Sequence, residues 1–222
     1  MNVVKSLVSD MPGVWRELTT LKQAFVVLKF VTDLTVCTVP PLTFAKSHMS
    51  IRTLVYVPLL AICYVVPDVA IFFALPKSAD STQTLIGLLL VVYSLLFFWW
   101  ARFHMLSKSA LTACFSADEP TFLITTGPWA LVRNPFYSAY LATMLAGFIV
   151  TSSSNHPDHD HPYLVSHAGG IAMSAFLVSF AIFYHAIRDE EAKFSASKLR
   201  TQHEAYKRRV WCLLPLTDVM RR

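Results

Sequence analysis

The sequence predicts an all-α, polytopic membrane helix bundle of four to five transmembrane helices, ending in a cytosolic helical tail. Three observations predict it. Of the 222 residues, 55% are hydrophobic and 15% charged, and mean hydropathy is positive, an apolar share above that of ordinary soluble domains. Several windows reach the roughly 20 apolar residues that one crossing of a bilayer requires. The lysines and arginines are unevenly shared among the connecting segments, as expected where loop charge sets orientation.

Taken in order, the N-terminal stretch MNVVKSLVSDMPGVWREL is too broken by charge and proline to serve as a cleaved signal peptide, so targeting falls to the spans. Residues 21–45 are ambiguous. Lys29 and Asp33 lie four apart on one helical face, which permits an internal ion pair, and the run ends at Pro40-Pro41. This segment is either a partly polar first span or a half-buried helix. Residues 51–75, 84–106 and 168–187 read as clear spans. The apolar run 137–151 is short, but Pro135 can start it, because proline is well accommodated in the first turn of a helix. The chain is then one domain, 1–222, with N-terminal spans in 1–106 and the remainder in 107–222.

Residues 188–222 hold nine of the nineteen lysines and arginines, whereas the loop SSSNHPDHDHPYLVSH holds none. The positive-inside rule therefore predicts a cytosolic tail, with residues 107–136 on the same side. A net charge of +5 and a pI near 9.1 do not call for nucleic acid, because the basic residues crowd beside apolar segments, where anionic membrane lipid accounts for them. Cys37, Cys63, Cys114 and Cys212 show no paired spacing and read as reduced packing residues. His156, His159, His161 and His167, with Asp158 and Asp160, lack a helical i, i+4 histidine pair, and no metal is expected there. There is no glycine-rich phosphate loop, and nothing in the sequence sets an oligomeric state.

Two polar cassettes interrupt this apolar chain. The first is TFLITTGPWALVRNPFYSAYL, residues 121–141. Gly127-Pro128 marks one turn, and Asn134-Pro135 another, since the residue before proline is pushed out of helical geometry. Arg133 and exposed backbone groups would then meet an anion at a helix entrance. A plain juxtamembrane loop is the alternative, with Arg133 at the headgroups and Trp129, Phe136 and Tyr137 in the interfacial belt. The second cassette is AIRDEEAKFSASKLRTQHEAYKRRVWCLLP, residues 186–215. Asp189, Glu190 and Glu191 stand where the last span leaves the membrane, and adjacent carboxylates there suit a cationic ligand better than an anionic lipid surface. The alternative is a solvated helix start in which Arg188 pairs with Glu191.

GPWALVRNPFY followed one span later by RDEEAKF, YKRRV and LLP resembles the isoprenylcysteine carboxyl methyltransferase family and its relatives among membrane phospholipid methyltransferases. That pattern runs from Gly-Pro-aromatic through Arg-His-Pro-x-Tyr and Glu-Glu-x-x-Leu to Tyr-x-x-Tyr and Arg-Val-Pro. The likeness covers about the last hundred residues, while the first hundred share only hydrophobicity. It implies S-adenosylmethionine as methyl donor, held on the cytosolic side between the cassettes and closed in by the tail. The donor would touch Thr121, Phe122, Leu123, Ile124, Trp129, Asn134, Pro135, Phe136 and Tyr137, with Glu190 on its amino group and Cys114 a weaker contact. Tyr206 and Arg209 match the tail pattern. Three positions depart from it: Asn134 stands for histidine, Trp211 for the proline after Arg-Val, and Ala186 for an arginine, with Arg188 the nearest substitute.

The resemblance implies an O-methyltransferase of the endoplasmic reticulum membrane, acting on the carboxylate of a prenylated cysteine or a similar lipidic acceptor. A carboxylate is already anionic at neutral pH, so positioning rather than a general base carries such a reaction. Arg188, Glu190 and Glu191 would be the catalytic set, Arg188 orienting the acceptor's oxygens through a charge-assisted fork. Arg188, Arg133 and Tyr140 would meet the acceptor; Tyr140, Met144 and Phe148 recur at helical spacing and either line a lateral opening or pack against another helix. Two other readings stand beside this one: a sterol-reductase-like enzyme using NADPH, whose tail pattern is similar, and a non-catalytic relative.

Overall fold

A computed structural model describes residues 11–44, 51–78, 81–107, 120, 122–152 and 162–213. It is all-helical. After a short helical stretch at 11–17 come α1 (Thr20–Phe44), α2 (Ile51–Ser78), α3 (Ser81–Ser107), a one-turn 3-10 helix (Gly127–Ala130), α4 (Pro135–Thr151), α5 (Pro162–Ala196) and α6 (Arg200–Lys207). Among the described residues three helices are long and apolar enough to cross a membrane, over Pro58–Leu75, Ser81–Met105 and His167–Ala196, which points to a membrane protein. Two boundaries differ from the sequence expectation. The first helix runs through Pro40-Pro41 to Phe44, since neighbouring helices can stabilise a proline-containing apolar helix. The last span does not stop at Ile187. Its 35 residues make a rod of about 50 Å, longer than a hydrocarbon core of about 30 Å, so the acidic residues ride on the same helix.

The shortest apolar helix sits at the centre. Along α4 nearly every residue from Pro135 to Val150 is buried, with no polar face, as befits a helix surrounded by others. It packs against α3 and α5 and also touches α1 and α2, while α2 packs along α5. One core joins Phe98, Tyr137, Tyr140, Met144, Phe183 and Ile187, with the rings of Tyr137 and Phe183 stacked at 4.8 Å. Tyr140 lies in this core with its ring 5.5 Å from that of Phe183, and Met144 is buried beside it. Tyr140 and Met144 therefore pack between helices. A second core gathers Phe25, Ile71, Leu75, Val91 and Val150. Here α1, α3 and α4 approach so closely that a Cβ on Gly87 would lie 2.4 Å from a Val150 methyl. Phe30, Val65, Leu89, Leu96 and Phe103 point outward, the surface that lipid tails accept.

The doubtful first helix turns its polar residues inward. Lys29 pairs with Asp33, as the spacing allows, and also with Asp68 of α2 at 2.5 Å. The Thr143 hydroxyl of α4 donates to the other Asp33 oxygen at 2.9 Å. A buried charge is tolerated when paired and hydrogen-bonded, and this network lets α1 join the bundle.

Candidate ligand-binding cleft

The first cassette is shaped by a glycine and two prolines. Gly127 has φ +63°, and a Cβ there would meet the His104 ring at 2.8 Å, so only glycine fits this turn. Pro128 starts the 3-10 turn and Pro135 starts α4. His104, at the end of α3, holds the turn from one side, its Nε2 lying 3.0 Å from the Thr126 hydroxyl.

The tail closes the other side through backbone bonds. The Arg133 N–H donates to the Trp211 carbonyl at 2.7 Å and the Asn134 N–H to the Cys212 carbonyl at 3.2 Å. The Asn134 side-chain amide also donates to the Cys212 carbonyl, at 3.1 Å, and the Ser138 hydroxyl donates to the Leu213 carbonyl. From α6, the Tyr206 hydroxyl donates to the Trp129 carbonyl at 2.7 Å. The asparagine thus clamps the tail, a task that needs an amide donor and no titrating ring.

Between the cassettes lies a cleft. Along α5, Ile187, Glu190, Glu191 and Phe194 fall at i, i+3, i+4 and i+7 and share its wall. Glu191 accepts from Arg133 at 2.5 Å and from Lys207 at 2.6 Å. Arg133 is only 8% exposed, and its Nε has no hydrogen-bond partner among the described residues. The same is true of His203 Nδ1, whose ring stacks on Phe194 at 4.6 Å. Burial depresses His203 to about 4, so the imidazole is neutral. Burial likewise raises the Tyr206 phenol and the Cys212 thiol, which stay protonated. Glu190 lines the cleft and has neither a hydrogen bond nor an ion pair among the described residues. Trp129 and Phe136, set edge to face at 5.9 Å, complete an aromatic side.

Most of the residues singled out from sequence meet here: Phe122, Leu123, Ile124, Trp129, Arg133, Asn134, Pro135, Phe136, Tyr137, Glu190 and Glu191 all line the cleft. Thr121 and Cys114 lie outside the described residues, as do His156, His159 and His161 of the histidine-rich loop. Three expected residues are elsewhere. Arg188 is exposed and does not line the cleft, because it is one residue on from Ile187 and so points about 100° away from that wall. Tyr140 belongs to the core. Arg209 is exposed, its Nε bonded back to the Ala205 carbonyl. Ala186, where an arginine was expected, is buried in the core.

Met105, Phe194 and His203 join the lining without having been anticipated. The helical row from Ile187 to Phe194 was the signal that would have found Phe194. No group of three or more metal-ligating side chains occurs among the described residues. No protein-family model, no curated protein and no solved structure matches the chain, so the function of the cleft has to be argued from these residues.

Proposed function

We propose that the cleft holds S-adenosylmethionine and that the protein is a membrane O-methyltransferase acting on the carboxylate of a prenylated cysteine or a similar lipidic acceptor. The observation that carries this reading is one juxtaposition. Among the described residues a carboxylate with no hydrogen-bonding partner, Glu190, shares an aromatic-walled cleft with a buried guanidinium whose Nε–H is unused, Arg133. The groups present fit the donor. Its cationic centres suit Glu190 and the faces of Trp129 and Phe136, and its flat base suits the same rings. Bound there, S-adenosylmethionine supplies an electrophilic methyl group on a sulfonium.

The chain's own residues do the positioning. Glu190 would take the donor's ammonium; opposite charges about 4 Å apart attract by roughly 4 kcal/mol at an effective dielectric near 20. Arg133, anchored by Glu191 through one nitrogen, keeps Nε–H for an oxygen of the acceptor carboxylate, the part that Arg188 was expected to play. His203 is neutral and adds a hydrogen-bonding group without adding charge. The apolar side of the cleft, with Met105, Phe122 and Ile187, excludes water from the reacting groups. A prenylated acceptor already resides in the bilayer, at about 0.8 kcal/mol per buried methylene. In this reading the chain has four or five spans in the endoplasmic reticulum membrane, and its basic tail and cleft face the cytosol.

Titration calorimetry on the purified protein tests the reading. Binding of S-adenosylmethionine, together with transfer of its labelled methyl group to lipid or prenylated protein in membranes, supports it. Binding of NADPH instead would favour a reductase, and binding of neither a non-catalytic protein.

A further inference from the structure

Far from the cleft, α1, α2 and α4 meet at Lys29, Asp33, Asp68 and Thr143. Lys29 is 4% and Asp33 3% exposed, and Lys29 Nζ reaches a carboxylate oxygen of each aspartate. Because both bind the same ammonium, the carboxyls of Asp33 and Asp68 lie side by side. Two ionised carboxylates have no proton to share; such a contact is bonding only if one of them carries a hydrogen. Charge leads to the same place. One ammonium against two carboxylates leaves an uncompensated negative charge in an apolar bundle, which costs several kcal/mol.

α1 packs against α2, α3 and α4. On α1 the charged groups are Lys29 and Asp33; on α2 it is Asp68; α4 offers the neutral Thr143 hydroxyl; and no other charged group of the described residues acts on Lys29 or Asp33. Lys22, two turns before Lys29 on α1, is bonded to the Leu75 carbonyl at 2.7 Å instead.

We infer that this cluster is an intramembrane proton-binding site, holding one proton between Asp33 and Asp68 under the positive charge of Lys29. Of the two aspartates, Asp68 lies nearer the surface. Its side chain is 19% exposed, against 4% for Asp33, and with Lys29 it lines a groove between α1 and α2. The proton ties α1 to α2, and through Thr143 to α4, whose first turn lines the cleft. Removing it leaves like charges face to face. The site does not depend on methyl transfer and stands or falls separately.

Infrared spectroscopy of the full-length protein in lipid nanodiscs reads the proton directly. At neutral pH the wild type should show the carbonyl stretch of a protonated carboxyl, and carbon-13 labelling of aspartate should shift that band, assigning it to aspartate without any substitution. Asp68→Asn and Asp33→Asn should each abolish it, since the remaining aspartate pairs with Lys29 as a carboxylate. A wild-type spectrum with no label-sensitive protonated carboxyl overturns the proposal. So does a band that persists unchanged in both folded variants.

Discussion

Two ion clusters in this molecule mirror each other. Within the helix bundle, one cation, Lys29, serves two carboxylates; at the cleft, one carboxylate, Glu191, serves two cations, Arg133 and Lys207. The first is the more enclosed, with Lys29, Asp33 and Asp68 side chains 5%, 4% and 19% exposed, against 5%, 18% and 33% for Arg133, Glu191 and Lys207. Access to water decides what each surplus charge becomes. At the cleft it is hydrated or meets a ligand, while inside the bundle it has to be neutralised where it stands. The same elements, an amine or guanidinium and carboxylates, thus give a fastening in one place and a binding surface in the other.

Removing the shared partner in each cluster tests that contrast most directly. Lys29→Met leaves the Asp33–Asp68 pair with an uncompensated negative charge in the bundle, and removing one partner of a buried pair costs about 3–5 kcal/mol. Glu191→Ala leaves Arg133 and Lys207 unpaired at a site that water reaches, and about 1–3 kcal/mol is expected. Thermal unfolding of both variants in one detergent gives the order. If Glu191→Ala proves the more damaging, the cleft is the structural centre and the comparison is reversed.

The next effect is on affinity. Glu190 makes no internal ion pair or hydrogen bond that folding would lose, so Glu190→Ala should leave the melting temperature near that of the wild type. A hydrogen bond to a charged group contributes about 1.5–3 kcal/mol, which predicts S-adenosylmethionine binding weakened by about ten- to a hundredfold. Calorimetry on the variant checks it, and undiminished affinity would remove Glu190 from the site.

A smaller effect appears only in acid. An unfolded histidine takes up its proton near pH 6.5, whereas buried His203 does so at about 4. Between those values the unfolded chain binds more protons, so His203 favours unfolding as pH falls through this window and costs nothing above it. The melting temperature should therefore decline on acidification through that window, and His203→Gln should flatten this part of the profile. An identical profile in the variant would assign the acid sensitivity to other groups.

How much of this was legible follows from what each signal depends on. Helix positions came from apolar run length, which is local, and α2, α3 and α4 lie where those runs lie. The Lys29–Asp33 pair was legible because i, i+4 spacing fixes a common face. Its third member, Asp68, was not, since it arrives from another helix, 39 positions along the chain. Convergence of the cassettes rested on their joint likeness to a family pattern, and the bonds from Arg133, Asn134 and Ser138 to residues 211–213 give that convergence its form. Side-chain direction was the weak point. Runs such as Arg188-Asp189-Glu190-Glu191 look equivalent in sequence, yet successive residues on a helix point about 100° apart.

Arg188 carries the smallest expected effect. Its expected contact with the acceptor rests on an arginine of the family pattern that is replaced nearby by Ala186, and nearness in sequence is not nearness in space. Here Arg188 is exposed, while Arg133 lines the cleft with its Nε–H unused. Arg188→Ala should therefore change stability by less than about 0.5 kcal/mol, as exposed substitutions usually do, and leave both donor affinity and turnover close to wild type. Arg133→Lys, which keeps the charge but loses the planar fork, should instead cut kcat/KM for the acceptor. If turnover falls with Arg188→Ala at unchanged donor affinity, while Arg133→Lys is silent, the acceptor lies on the outer side of α5 and the cleft serves the donor alone.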